Sequence, residues 1–253
     1  MSATTKSRVS RRNFLRNTAA AGGALAAVGT LPRGLRAADK RNLEPGSTIV
    51  FQGDSITDAG RNRQATGPNH QAGLGNGYPM LLAAALLADH PEARLNVYSR
   101  GISGNKVPDL AARWQDDAIA LKPAVLSILI GVNDIWHKLA GRYDGTVADY
   151  EIGYRALLVD TAEKLPDASL VVCEPFVLRC GAVNDHWFPE FDQRRAVAKK
   201  LATELGHAFV PFQTMFDEAV KVAPPQYWAG DGVHPTLAGH ALMARTWREV
   251  VGI

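Results

Sequence analysis

The sequence predicts an α/β fold: a three-layer α/β/α sandwich around a five-stranded parallel sheet in the flavodoxin-like order 2-1-3-4-5. Three observations lead there. Short apolar runs rich in β-branched residues alternate with longer amphipathic runs, and strand-helix alternation implies a parallel sheet covered on both faces. Polar or glycine-rich turns follow the first three short runs, and in such sheets ligands bind at the carboxyl ends of the strands, near the switch point. About 215 residues follow the N-terminal segment, enough for one domain with a real core.

The N-terminal segment stands apart from this pattern. Ser10-Arg11-Arg12-Asn13-Phe14-Leu15-Arg16 precedes a weakly apolar, small-residue run from Thr18 to Leu31. Paired arginines, Phe-Leu and such a run resemble a twin-arginine export signal. The run is too short and too rich in Gly and Ala to span a bilayer comfortably. Residues 1–37 are therefore assigned as the signal, with cleavage near Ala37 or Ala38, residues 38–45 as a short linker and residues 46–253 as the folded domain. A periplasmic or extracellular location follows, with no stable membrane insertion once the signal is removed. The signal holds seven of the 28 basic residues and no acid, so the remainder is acidic overall. Nucleic acid is not an expected partner. A homo-oligomer is compatible with the sequence.

Strands are predicted at residues 48–52, 95–99, 125–130, 169–173 and 208–211, each bounded by Gly, Pro or polar residues. Helices are predicted at 78–88, 109–121, 147–165, 192–205, 214–222 and 237–250. In the fourth, Val197, Leu201 and Leu205 share one face. Cys173 closes an apolar run and reads as a buried small residue; Cys180 is the second cysteine, and no disulfide is demanded. Neither C-x-x-C nor H-E-x-x-H occurs, so no metal site is signalled and no cofactor is expected.

The candidate chemistry lies on the turns. Ser55 follows Gly53-Asp54 at the end of the first strand. It reads either as a turn residue or as a nucleophile, and a nucleophile needs a base, an orienting acid and oxyanion donors. Among seven histidines, His234 differs: Asp231 lies three residues before it, with Gly232 between them and Pro235 after. Such a turn folds the carboxylate onto Nδ1 and leaves Nε2 for a hydroxyl. Gly104, after the second strand, brings a backbone N–H close to a substrate, and Asn133, after the third, offers a side-chain NH₂. G-x-S-x-G, the nucleophile motif of the α/β-hydrolase fold, is missing at Ser55.

Gly53-Asp54-Ser55, Gly104, Gly131-x-Asn133-Asp134 and Asp231-x-x-His234 together resemble, in order, the four blocks of the SGNH (GDSL) hydrolases. The resemblance implies that Ser55 is the nucleophile, His234 the base and Asp231 its orienter. It further implies an oxyanion hole of Ser55 N–H, Gly104 N–H and the Asn133 side chain. "GDSITDAGR", "RGISGNKVPDLAARWQDD", "KPAVLSILIGVNDIW" and "DGVHPTLAGHALMAR" are similar to bacterial acetylxylan esterases of this family. That similarity implies an acetylated carbohydrate as substrate. A lysophospholipase- or thioesterase-like lipid esterase and a non-catalytic glycan-binding module are the alternatives, since one fold hosts many functions.

For the substrate rim, the segment 59–76 is a long loop, and loops of that length are commonly functional. Asp58 and Trp136 are the expected substrate contacts. Trp187, Tyr227 and Trp228 lie near the same edge, either as a sugar-stacking platform or as core.

Overall fold

A computed structural model describes residues 43–253. The expected signal at residues 1–37 and most of the linker lie outside the described residues. Strand β1 (Thr48–Gly53) leads into helices α1 (Ser55–Asp58), α2 (Gln71–Leu74) and α3 (Tyr78–Asp89). Strand β2 (Asn96–Ser99) and helix α4 (Val107–Asp117) follow, then β3 (Val125–Leu129), α5 (Val132–Leu139) and α6 (Val147–Lys164). The chain ends with β4 (Ser169–Cys173), α7 (Glu190–Glu204), β5 (Ala208–Val210), α8 (Phe212–Ala219), α9 (Pro225–Trp228) and α10 (Leu237–Val251). No helix among the described residues is long and apolar enough to cross a membrane.

The five strands are parallel and ordered β2-β1-β3-β4-β5, as the alternation predicts. Phe51 pairs with Ser99 on one side and with Ser127 on the other, which fixes β1 between β2 and β3. The order reverses there, so the ends of β1 and β3 flank the switch point.

The strands are apolar on both faces because both faces are covered. Ile49, Phe51, Val125, Leu129 and Val171 pack into one core with Tyr78, Phe212 and Trp247 from α3, α8 and α10. Val50, Leu126, Ile128 and Val172 face the other way, into a core with Trp114, Tyr154 and Leu201 from α4, α6 and α7. The Phe51 ring sits 5.3 Å from that of Trp247 and 5.7 Å from that of Tyr78. Full burial of one such side chain stabilises the fold by about 1.5–3 kcal/mol. Helices α6 and α10 are capped by their own sequence. Thr146 and Asp149 form a reciprocal capping box at the start of α6, and Thr236 caps α10, which stops at the left-handed Gly252.

Several boundaries differ from expectation for local reasons. Helix α4 begins at Val107 because Pro108 is tolerated in a first turn and Asp109 accepts the Lys106 N–H at 2.9 Å. It ends at Asp117, and a separate 3₁₀ turn, Ile119–Leu121, completes the predicted span. Gly131-Val132-Asn133-Asp134 is not only a turn after β3: it starts helix α5. Part of the 59–76 segment is structural. Asn69 pairs with the exposed edge of β2, its N–H donating to Val97 O and its Oδ1 accepting from Val97 N–H at 2.8 Å. A free sheet edge is thereby covered. Cys173 and Cys180 are both buried free thiols.

Candidate functional site

Ser55 opens α1 directly after β1 because the chain turns tightly at Gly53. A Cβ there would run into Leu129 O and Thr57 Oγ1. Asp54 caps the new helix, its Oδ1 accepting the Ile56 N–H at 3.0 Å. The Ser55 hydroxyl thus projects from a rigid strand end rather than from a loop.

The turn before α10 brings the other partners to it. His234 Nε2 lies 2.8 Å from Ser55 Oγ across 179 residues of chain. On the far side of the ring, Nδ1 lies 2.6 Å from Asp231 Oδ2. Asp231 Oδ1 accepts the backbone N–H groups of His234 at 2.7 Å and Val233 at 2.9 Å. One carboxylate therefore holds both the imidazole and the turn that carries it. Burial pushes the Asp231 carboxyl up, but the His234 and Val233 hydrogen bonds outweigh it and hold the group below its ordinary value. A segment that the motifs do not reveal braces this turn from behind. Leu178 N–H donates to Gly232 O at 2.7 Å and Ala182 N–H to Asp231 O at 2.8 Å.

Gly104 and Asn133 lie after the ends of β2 and β3, on the strand-end edge that also carries Ser55. Gly104 has φ +84°, a conformation that disfavours any side chain, and it follows Ser103, whose N–H and Oγ both donate to Asp58 Oδ2. Asn133 lies in the first turn of α5, where Nδ2 donates to Asn105 O at 3.2 Å. That nitrogen carries a second hydrogen. His137, one turn on, brings its Cε1 to 3.7 Å from where a Cβ on Gly104 would lie. Burial, then the charges of Lys106 and Arg142, lower its pKa.

Asp58 does not meet the expectation of a substrate contact. Its side chain is 4 % exposed, and both oxygens are engaged: Oδ2 by Arg63 at 2.7 Å and by Ser103, Oδ1 by the Arg61 N–H at 3.2 Å. A buried carboxylate is kept only where it is paired, and this one serves the Gly104 loop. Arg61 is buried too, donating to Gly101 O at 2.7 Å.

The aromatic residues separate. The Trp136 ring stands 5.9 Å from the His234 ring and 5.6 Å from that of Trp187, at the border of the site. Trp187 is core, 2 % exposed, with Nε1 donating to Ala182 O. Trp228 donates to Ala219 O and Ala223 O and packs against the core. Tyr227 is exposed.

Two buried acids lie beside the reacting groups. Burial first, then the charge of Asp134, pushes Asp54 up to about 7 despite its Ile56 hydrogen bond. Burial raises Asp134 to about 6 against the Val107 N–H, Arg194 and Lys106. The Oδ2 of each is buried with no hydrogen-bond partner among the described residues.

Comparison with known proteins adds three findings. The GDSL-like lipase/acylhydrolase family pattern matches residues 51–242. The chain is 37% identical over 215 residues to an acetylxylan esterase of Geobacillus stearothermophilus, spanning 82% of this chain and 94% of that protein. A solved structure of an acetylxylan esterase from Geobacillus stearothermophilus superposes with a TM-score of 0.74 at 35% identity, over 83% of this chain and 96% of that one. A Parabacteroides merdae structure described as a GDSL-like lipase reaches 0.82 at 51% identity, over 85% of this chain and 99% of that one.

Proposed function

The chain belongs to the GDSL-like lipase/acylhydrolase family and is a carboxylic ester hydrolase, and we propose that it removes O-acetyl groups from carbohydrate through an acyl-enzyme on Ser55. The observation that carries this reading is the position of His234, 2.8 Å from Ser55 Oγ and 2.6 Å from Asp231 Oδ2. Ser55 Oγ attacks the acetyl carbonyl while Nε2 takes its proton. The developing oxyanion takes hydrogen bonds from Ser55 N–H, Gly104 N–H and the free hydrogen of Asn133 Nδ2. His234 then returns the proton to the departing sugar oxygen. In the second half His234 activates water, which releases acetate and restores Ser55. Asp231 keeps the ring in the productive tautomer and stabilises the imidazolium without taking a proton. In the Geobacillus stearothermophilus enzyme, the variants described as catalytic replace a serine and a histidine by alanine.

Xylan or another acetylated glycan is favoured because that related enzyme is an acetylxylan esterase and because Trp136 and His137 give the site an aromatic and polar border. The test is an acyl-chain series with Ser55→Ala as control. kcat/KM falls from acetate to butyrate and approaches zero by octanoate, acetate is released from acetylated xylo-oligosaccharides, and Ser55→Ala is folded but inactive. An optimum at octanoate would replace this reading with a lipid esterase, since each methylene buried in an apolar channel gains about 0.8 kcal/mol. Activity in folded Ser55→Ala would remove the mechanism. Export by the twin-arginine route belongs to the same reading, and replacing Arg11 and Arg12 by lysine should retain the precursor inside the cell.

A further inference from the structure

The Asn133 amide is useful only if its orientation is fixed before the reaction. A carbonyl oxygen can only accept, so the bond to Asn105 O sets which end of the amide is NH₂ and spends one of its two hydrogens. The position of Asn105 thus decides where the second hydrogen points. Asn105 is in turn gripped through its side chain: Oδ1 lies 2.8 Å from Arg113 Nε on α4.

Arg113 is unusually constrained for an arginine that is none of the candidate triad or oxyanion residues. Its Nη1 lies 2.9 Å from Gln52 Oε1, 2.9 Å from Arg100 O and 3.0 Å from Asp117 Oδ2. Its Nη2 lies 3.3 Å from Gly53 O, two residues before Ser55. Gln52 is fully buried and is itself held by Asp117 O at 2.7 Å. One planar guanidinium therefore joins the end of β1, which carries Ser55, to the loop that carries Gly104 and Asn105. A lysine ammonium cannot reproduce that fork.

We propose that Arg113 and Asn105 are positioning residues for the ester hydrolysis, aiming the Asn133 amide at the oxyanion by fixing its hydrogen-bond acceptor relative to Ser55. The inference rests on the acyl-transfer reading above. Neither residue touches the substrate; both act through Asn133. If they served only the fold, their loss would cost the same whether or not Asn133 kept its amide.

A double-mutant cycle separates the two roles. Arg113→Lys, Asn105→Ala and Asn133→Ala are made singly, and each of the first two is combined with the third. Steady-state kinetics on 4-nitrophenyl acetate and thermal unfolding are measured for all. Arg113→Lys and Asn105→Ala should each lower kcat by about ten- to a hundredfold with KM within about twofold, since small misplacements of a reacting geometry are that costly. In the Asn133→Ala background both losses should shrink to less than about threefold. Multiplying losses, or full kcat in the folded single variants, would overturn the proposal. Asn105→Ala leaves the guanidinium's other bonds intact and carries the test if Arg113→Lys fails to fold. Failure of the underlying mechanism shows separately, as activity in Ser55→Ala; an inactive Ser55→Ala with multiplying losses would remove only the positioning relay.

Discussion

Asp231→Asn is the most informative single substitution, because the geometry assigns a different fate to each carboxylate oxygen. Oδ1 accepts two backbone N–H groups, from His234 at 2.7 Å and Val233 at 2.9 Å. Asparagine keeps a carbonyl oxygen there, so the turn before α10 stays tied. Oδ2 faces His234 Nδ1 at 2.6 Å. Asparagine puts an NH₂ in that place, and a donor can only face an unprotonated Nδ1. The ring proton moves to Nε2, which then points a hydrogen at Ser55 Oγ and cannot accept one. The base is lost while its position is kept. The stability cost is confined to exchanging charge-assisted backbone hydrogen bonds for neutral ones, about 1 kcal/mol or less for each of the two. The kinetic cost is that of a wrong tautomer, about 10³–10⁴ in kcat by analogy with serine-protease triads. The assay is steady-state hydrolysis of 4-nitrophenyl acetate, with chemical denaturation to measure stability. A loss below about tenfold in kcat, with the fold intact, would show that Asp231 does not set the tautomer and would refute this reasoning.

Three further outcomes follow from the same geometry. Asn133→Ala should reduce kcat by about 10²–10³ with little change in KM, because its hydrogen bond forms mostly in the transition state; a change confined to KM would place the amide in ground-state binding. Asp54→Asn tests the buried acid. Its folded-state pKa of about 7 lies above the ordinary 3.8, so its stabilising contribution is complete below about 3.8 and is lost as pH rises to about 7. Asparagine keeps the Ile56 cap and cannot ionise, so the variant should gain stability relative to the parent between pH 4 and pH 8, by up to a few kcal/mol; a pH-independent difference between the two unfolding curves would show that Asp54 is not protonated in the fold. Trp136→Ala should weaken kcat/KM on acetylated xylo-oligosaccharides by about tenfold, the scale of one lost aromatic contact, and on 4-nitrophenyl acetate by much less; equal losses on both would assign Trp136 to the support of His234.

What the sequence determined by itself was periodic or adjacent in the chain. Strand and helix alternation is written in runs of apolar residues, and it led to the parallel sheet and its order. Ser55, Gly104, Asn133, Asp231 and His234 were legible as candidates because strand ends are marked by turn residues and because all parallel strands end on one edge. The Asp231–His234 pair was legible because three residues with a glycine between them close a turn locally. The fate of the other polar residues was decided only by the tertiary structure. Asp58 reads as an exposed site residue, yet Ser103, 45 residues away, and Arg63 consume its carboxylate. Arg113 reads as one polar position on an amphipathic helix, yet it grips Gln52 and Gly53, about 60 residues earlier. Arg194 is wholly buried against Glu190, Asp134 O and Gly145 O, which nothing in its neighbourhood announces. An apolar side chain is buried by pattern, because any apolar neighbour will serve. A polar one is buried only where a specific donor or acceptor meets it, and that partner is chosen by contacts between distant segments that the local sequence does not encode.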